Sequence, residues 1–409
     1  MSACCRFSAL PLTALVTALL LAGCSEESGD LSEAIEDTPV SEPEVLSQAV
    51  LTDRIPAQET YRDHLLQLAS DDYDITLSAI QKLNADISHF LEAPDEETLQ
   101  QARKSWRNAY TAYLQTLPVT AIPVDEPSDW KSAGLTRAAL TETINPWPLE
   151  PGYIDYIDGY PYTGIVNDTT LNLSEGSLQE QHRFSDVSYV SLGFQVLEFL
   201  LWGENGQRPA SDFNPATAKN ATPDRPAVKN QQRRGEYLKT AGQMLQKSLQ
   251  RLQLRWQLDN GFYSITTAVR SGETVINNSL ISLRKLITKD LGGRYLKEPS
   301  SPYSNSSRDD AQAILGSLRE LLLPANSVSG VRTLLEDTPE KITALENAFA
   351  VMRECLDAEG DYPLCQPQLL ALVTAFDQAA SVLDPAVLFP VNAWAEPVLT
   401  QPSGSGSQE

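Results

Sequence analysis

A single carboxylate, Glu198, lies in the middle of a long apolar stretch, DVSYVSLGFQVLEFLLWGEN at residues 186–205. On a helix with about 100° per residue, this stretch is apolar around most of its circumference, which is typical of a buried helix. The polar side chains of this stretch fall on one narrow stripe of the helix, together with a tryptophan, at spacings of three or four residues: Ser188, Ser191, Gln195, Glu198 and Trp202. A buried carboxylate requires a cation, a proton or donated hydrogen bonds, so the sequence predicts a polar site around Glu198.

Two irregular segments could supply further groups to this site. Residues 144–168 are dense in Pro, Gly and aromatic residues, and long loops inside compact domains are usually functional or disordered. The aromatic content favours order, either over a site or as a structural loop whose aspartates cap turns. Residues 292–310 are crowded with hydroxyl and amide oxygens. The candidate side chains in the two segments are Trp147, Asp155, Tyr156, Asp158, Ser304 and Asn305.

Few other catalytic or metal-binding patterns are present. Arg233 and Arg234 begin a helical stretch and could reach a buried carboxylate, although exposed arginines are more common. The chain has only three histidines, and we expect solvated roles for them. HExxH, GxSxG and Walker-type sequences are absent, so the two-imidazole helical face of a zinc peptidase cannot form.

Composition excludes one class of partner. The 409 residues carry a net charge of −23, which argues against nucleic acid because phosphates would be repelled. The acidity favours cations or basic partners, or simply solubility. After the N-terminus, no segment is long and apolar enough to span a bilayer.

The N-terminus has the features of a lipoprotein signal peptide. Arg6 precedes an apolar region, and Leu21-Ala22-Gly23-Cys24 has the form of a lipobox. Residues 1–24 would thus end at a lipidated Cys24, which anchors the protein to a membrane. An ordinary secretory signal is the alternative. Because Ser25 is not an aspartate, we expect the outer membrane of a Gram-negative bacterium, facing the periplasm.

The rest of the chain is predicted to be all-α. Residues 25–55 read as a disordered acidic tether, 56–215 and 216–396 as two helical bundles, and 397–409 as a flexible tail. Four helices per half suggest two four-helix bundles side by side, with a long irregular loop over their interface. Cys355 and Cys365 are placed for a short-loop disulfide or remain free thiols.

Helix boundaries follow from local signals. We expect the first helix from about Ala57 to Ala93-Pro94, with Asp95 capping the next one. Further helices are expected near 275–291, 339–358 and 366–383. Ser307 and Asp310 form a predicted capping box for the helix AQAILGSLRELLL.

The motif residues resemble the imelysin-like proteins. Gly193-Phe194-Gln195-Val196-Leu197-Glu198 is similar to their GxHxxE signature, and three further segments match in order: ARKSWRNAY, WPLEPGYIDYIDG and SPYSNSS. The resemblance covers most of the chain from about Tyr61. It implies two similar four-helix bundles with a site at their interface, an envelope location, a link with iron uptake and a historical classification as metallopeptidases.

One position departs from the signature. Gln195 stands where the family has histidine, and an amide oxygen suits harder ions than imidazole does. The departure is compatible with an altered ligand set or with lost metal binding.

Three functions follow from the residues and the resemblance. The first is a lipid-anchored protein for iron or another metal ion, with Glu198 and Gln195 as ligands and iron-uptake proteins as partners. Its site would be lined by Gly193, Gln195, Glu198, Trp147, Asp155, Arg234, Ser304 and Asn305. The second is a metallopeptidase with Glu198 as base, which the missing imidazole disfavours. The third is a non-catalytic interaction protein in which Glu198 pairs with Arg233 or Arg234.

Overall fold

The computed structural model describes residues 48–215, 230–325, 329–358 and 365–384, and within 48–54 only the backbone. Several predictions fall outside these ranges: the signal peptide, lipidation at Cys24, the tether up to residue 47, and the tail.

Within the described ranges the protein is all-α and has no β-strand, which confirms the predicted fold class. The helices are α1 (Gln48–Glu92), α2 (Glu96–Gln115), α3 (Leu117–Thr120), α4 (Ser128–Ser132), α5 (Arg137–Ile144), α6 (Pro151–Ile154), α7 (Glu175–Gln181), α8 (Phe194–Trp202), α9 (Gln231–Trp256), α10 (Phe262–Ala268), α11 (Gly272–Lys285), α12 (Ser307–Leu322), α13 (Pro339–Asp357) and α14 (Gln366–Leu383). None of these helices is both long and apolar enough to cross a bilayer.

The long helix α1 organises the core. It packs against α2, α9 and α11, and its buried face includes Tyr73, Ile80 and Phe90. The helix begins at Gln48, before the predicted start, and ends at Glu92 as the following Ala-Pro pair predicts. The connection to α2 is short because Asp95 caps the new helix, its Oδ1 accepting a hydrogen bond from the backbone N–H of Thr98 at 2.8 Å.

The helix that carries Glu198 is shorter than predicted. The apolar stretch starts at residue 186, whereas α8 spans only Phe194–Trp202, between Gly193 at φ +102° and Gly203 at φ +68°. The end before Gly203 is the one that this glycine predicts, and only the start differs. Such backbone angles favour glycine, so two glycines set both ends of the helix. Ser188 and Ser191 consequently precede α8 and do not extend the polar stripe of Glu198.

Two further expectations are corrected. The helix expected near 275–291 is α11 followed by a π-helix over Leu286–Tyr295. The capping box at Ser307 and Asp310 is wrong. Ser306 precedes α12 without a side-chain cap, and Ser307 Oγ instead accepts a hydrogen bond from the backbone N–H of Ser301. The side chains of Ser307 and Asp310 therefore bind the loop that precedes α12 and do not cap the helix.

Contacts group the described residues, from Gln48 to Asp384, into one compact unit. Helix α1 packs against helices from both sides of the predicted boundary at residue 215. The division into two bundles stays a prediction. Near the C-terminal end of the described chain, α13 and α14 are joined by a disulfide between Cys355 and Cys365, with Cα atoms 6.0 Å apart.

Candidate functional site

Glu198 is fully buried in α8, and its two carboxylate oxygens have different surroundings. Oε1 accepts two hydrogen bonds from Ser304, one from the backbone N–H at 2.8 Å and one from the hydroxyl at 2.7 Å. Oε2 has no hydrogen-bond partner among the described residues. Glu198 and Ser304 are therefore in contact, as predicted, and one of the two carboxylate oxygens has no hydrogen-bond partner among the described residues.

Burial raises the pKa of Glu198 to about 8, against the opposing effect of the hydrogen bonds from Ser304. Asp310 raises it further by charge repulsion, whereas the nearby backbone N–H of Tyr303 lowers it. Most Glu198 side chains therefore carry a proton at pH 7 and are neutral.

A second buried carboxyl group accompanies Glu198. Asp310 Oδ2 accepts hydrogen bonds from the hydroxyls of Ser300 at 2.7 Å and Ser301 at 2.6 Å. Burial nevertheless raises the pKa of Asp310 to about 7. The serines of the loop before α12 thus donate hydrogen bonds to two buried carboxyl groups, Glu198 and Asp310. Of these two, Asp310 was predicted from the sequence to cap α12, and that prediction is wrong.

Gln195 lies one turn before Glu198 and is 2% exposed. Its Nε2 donates hydrogen bonds to the hydroxyl of Tyr110 at 2.9 Å and to Oδ1 of Asn145 at 2.8 Å. Its Oε1 has no partner among the described residues. Two buried acceptor oxygens on successive positions of one helical face, Gln195 Oε1 and Glu198 Oε2, are therefore unsatisfied by the protein, which is unusual for buried polar atoms.

Arg294 belongs to the same network and was missed by sequence reasoning. It comes from the π-helix and donates a hydrogen bond from Nη2 to Oδ1 of Asn145 at 2.8 Å. Its guanidinium lies 5.3 Å from the ring centre of Trp147. The sequence signal for this arginine was its place in the second oxygen-rich segment. A π-helix, a form frequent at functional sites, cannot be read from helical periodicity.

Asp155 and Arg234 form a separate buried cluster. Arg234 donates to Asp155 from Nε at 2.6 Å and from Nη2 at 3.0 Å, and Arg208 lies 2.8 Å from the same carboxylate. Burial would raise the pKa of Asp155, but the two arginines outweigh it and hold that pKa below its usual range. Tyr156 completes the cluster, with its hydroxyl donating to Asp212 at 2.7 Å.

The predicted pairing of Glu198 with Arg233 or Arg234 is wrong. Arg234 is bound to Asp155, and Arg233 donates to four backbone carbonyls of the segment before α7, including those of Val166 and Leu171. Asp155, rather than Glu198, forms the buried ion pair with Arg234.

The remaining candidates lie around these groups. Trp147 donates from Nε1 to Glu298 at 3.3 Å and stays partly exposed. Asn305 is exposed with φ +56°, next to Ser304. Asp158 is exposed, and its backbone N–H donates to Glu204. None of these three side chains contributes a hydrogen bond to Glu198 among the contacts of the described residues.

Gly193 positions the motif. A Cβ atom at this residue would lie 2.5 Å from Cδ of Pro146 and 2.7 Å from the carbonyl oxygen of Thr143. Only glycine allows this approach, at a φ that other residues rarely adopt. The start of α8 is also fixed by Trp106, whose Nε1 donates to the carbonyl of Phe194 at 2.9 Å.

His182 is only partly exposed, whereas we expected a solvated side chain. Burial lowers its pKa to about 4, so its imidazole is neutral at pH 7. Its Nδ1 accepts a hydrogen bond from the backbone N–H of Ser191 at 3.3 Å, and its Nε2 lies 3.4 Å from the carbonyl oxygen of Glu142. The ring holds the segment before α8 in place.

The donor set of the site is therefore oxygen-rich and lacks imidazole. In the part of the chain that the structure describes, no group of three or more His, Cys, Asp or Glu side chains is arranged to hold a metal ion. Gln195 and Glu198 supply two hard oxygen atoms, which suits ions that accept additional water ligands.

Comparisons with known proteins agree with this architecture. The family model described as Imelysin, of the class Peptidase_M75, matches residues 69–382. The crystal structure of a protein titled "putative iron-regulated protein A precursor", from Parabacteroides distasonis ATCC 8503, is similar in fold. Its TM-score is 0.56 at 15% sequence identity, and the match covers 80% of this chain and 94% of that one. Among curated proteins, none matches this chain.

Proposed function

This chain belongs to the imelysin family, and on that premise we propose that it is an envelope lipoprotein that binds a metal ion, iron above all, for uptake. Glu198 and Gln195 would hold the ion, and Cys24 would carry the lipid anchor. The iron-regulated designation of the similar crystal structure supports an iron-associated role.

One observation carries the proposal: Glu198 Oε2 and Gln195 Oε1 are buried acceptors without partners in the described protein. Leaving such a group unsatisfied costs about 1–3 kcal/mol, so a small bound species at this position would stabilise the fold. Because the two residues are three apart on α8, one cation can contact both oxygens.

The chemistry of these oxygens limits the choice of ion. A carboxylate and an amide oxygen are hard ligands and favour ions such as Fe³⁺ or Ca²⁺ over Zn²⁺ or Cu²⁺. The ion must also displace the proton that Glu198 holds at neutral pH. Binding would therefore strengthen as the pH rises toward about 8, the pKa of Glu198, and would release protons.

The site would also lie at the predicted interface between bundles. Glu198 and Ser304 come from opposite sides of the boundary predicted at residue 215, and they are joined by two hydrogen bonds. An ion at Glu198 would thus connect the two halves of the chain.

Calorimetric titration with Fe²⁺, Fe³⁺, Zn²⁺ and Ca²⁺ at pH 6, 7 and 8 tests the proposal. Wild type is expected to bind a hard ion more tightly at pH 8 than at pH 6, by up to about tenfold per pH unit for one displaced proton. Glu198→Gln should abolish this binding. Glu204→Gln removes an exposed carboxylate nearby and serves as the matched control, with unchanged binding.

A further variant addresses the family signature. Gln195→His restores the imidazole of the GxHxxE pattern and should shift the preference toward Zn²⁺ and Fe²⁺. Wild type that binds none of the four ions at any pH, or Glu198→Gln that binds as wild type does, overturns the proposal.

A further inference from the structure

An open polar cleft lies beside Ser304, the residue whose backbone N–H and hydroxyl bind the buried Glu198. It has a volume of about 550 Å³ and is walled by α2, the end of α8, the residues that follow α8 and the loop around Ser304. The residues that matter for its chemistry are Arg103, Arg107, Trp202, Glu204, Tyr303 and Ser304. We call it the Ser304 cleft. Its volume is within the range of small-molecule sites, about 300–1,000 Å³.

Two arginines dominate the charge of the cleft. The guanidinium carbons of Arg103 and Arg107 lie 5.4 and 5.2 Å from the ring centre of Trp202, so both cations contact the same indole. Arg107 donates from Nη2 to the backbone carbonyl of Ser304 at 2.7 Å. Arg103 is buried, and donates to the carbonyls of Leu201 and Arg208.

These cations lack carboxylate partners. Among the described residues, neither Arg103 nor Arg107 forms a salt bridge. Burial lowers the pKa of Arg103, against the attraction of Glu96, and repulsion from Arg107 lowers it further. Two like charges are thus held together in a protein whose net charge is −23.

The acidic groups nearby leave the cleft positive. Glu204 lines it, and one of its carboxylate oxygens accepts the backbone N–H of Asp158. Glu198 lies behind Ser304, is fully buried and does not line the cleft. Two arginines therefore line the cleft together with one carboxylate, Glu204, while Glu96 attracts Arg103 without lining the cleft.

From this arrangement we propose that the Ser304 cleft binds a small anion that carries carboxylate groups. Guanidinium groups match carboxylates with two parallel hydrogen bonds, and an anion between Arg103 and Arg107 would relieve their repulsion. The carboxylates can belong to a free organic acid or to an anionic ferric chelate. The second source would bring iron next to Ser304, which binds Glu198, and only that source depends on the proposed function.

Titration of the purified protein with citrate, and separately with ferric citrate, tests this inference. Both are expected to bind wild type at pH 7, and more weakly at 200 mM than at 50 mM salt. Tighter binding of citrate assigns the site to free acids, and tighter binding of ferric citrate assigns it to chelates. Either result supports the anion site, whereas absence of binding of both at millimolar concentration overturns it.

Charge-matched variants on α2 separate a specific site from general electrostatics. Arg107→Gln should weaken citrate binding about tenfold or more, because a charge-assisted hydrogen bond is lost. Lys104→Gln removes the same charge from an exposed residue outside the cleft and should change binding by less than about twofold. Arg107→Lys keeps the charge without the planar fork and should fall between wild type and Arg107→Gln.

Equal losses in Arg107→Gln and Lys104→Gln would overturn the proposal. Because Arg107 is exposed, both variants should melt within a few degrees of wild type, which the same samples can confirm. Glu198→Gln distinguishes this inference from the proposed function: it should remove binding of free metal ions while citrate alone still binds.

Discussion

The protonation state of Glu198 makes the stability of this protein depend on pH, and replacing Glu198 by glutamine isolates that dependence. The amide of Glu198→Gln has nearly the same shape and can still accept the hydrogen bonds of Ser304, but it does not titrate. The free energy of unfolding of wild type minus that of the variant therefore reports the carboxyl group alone. Asp310, whose pKa is also raised, is present in both proteins and largely cancels.

The direction and size of the effect follow from the raised pKa. Unfolded, Glu198 has a pKa near the ordinary value of 4.5, whereas burial raises it to about 8 in the folded protein. Between these values the folded state holds a proton that the unfolded state has released, so stability falls as the pH rises. Each pH unit corresponds to about 1.4 kcal/mol, which gives up to about 4 kcal/mol between pH 5 and 8.

Urea unfolding followed by circular dichroism, in EDTA at unit steps from pH 5 to pH 9, measures this difference. The free energy of unfolding of Glu198→Gln should rise relative to that of wild type with each pH unit up to about pH 8. Above pH 8 the difference between the two proteins should stay constant. Exposed Glu204→Gln should show no such trend. Ser304→Ala removes one hydrogen bond that lowers the pKa of Glu198, so this pKa should rise. The pH at which stability stops falling should then be higher in Ser304→Ala than in wild type.

A difference between wild type and Glu198→Gln that stays constant from pH 5 to pH 9 would refute the reasoning. The carboxyl group would then have the same pKa in both states, and the fully buried position of Glu198 could not be correct.

Two further variants test the scaffold of the site. Gly193→Ala should destabilise the protein by several kcal/mol, since its Cβ would meet backbone at φ +102°, whereas Gly176→Ala, with open space around it, should be near neutral in thermal melts. Asp155→Asn should lower the free energy of unfolding by about 3–5 kcal/mol, because it leaves Arg234 buried beside a neutral amide; a loss below about 1 kcal/mol in urea unfolding would contradict this ion-pair assignment.

The secondary structure was largely predictable because its signals are local. The end of α1 and the Asp95 cap both follow from a few adjacent residues. The start of α8 was predicted too early, although Gly193 is visible in the sequence. Hydrophobicity alone extends the helix to residue 186, and only the φ of that glycine reveals the break.

The imelysin motif could be recognised from sequence, but its surroundings could not. Arg234 was assigned to the wrong carboxylate because its nearness to Asp155 depends on how the loop before α7 packs against α9. His182 was expected in solvent because its neighbours are polar, yet tertiary packing leaves it only partly exposed. Arg294 reaches the Gln195 network only through a π-helix.

By itself, the sequence determined that Glu198 would be buried, since apolar neighbours on its own helix are enough to carry it inside. Only the tertiary structure decided how that burial is compensated: Ser304, 106 residues further along the chain, satisfies one carboxylate oxygen and leaves the other open. The physical reason is the range of the forces. Hydrophobic periodicity acts within one helix, whereas a hydrogen bond needs two distant segments placed within about 3 Å of each other.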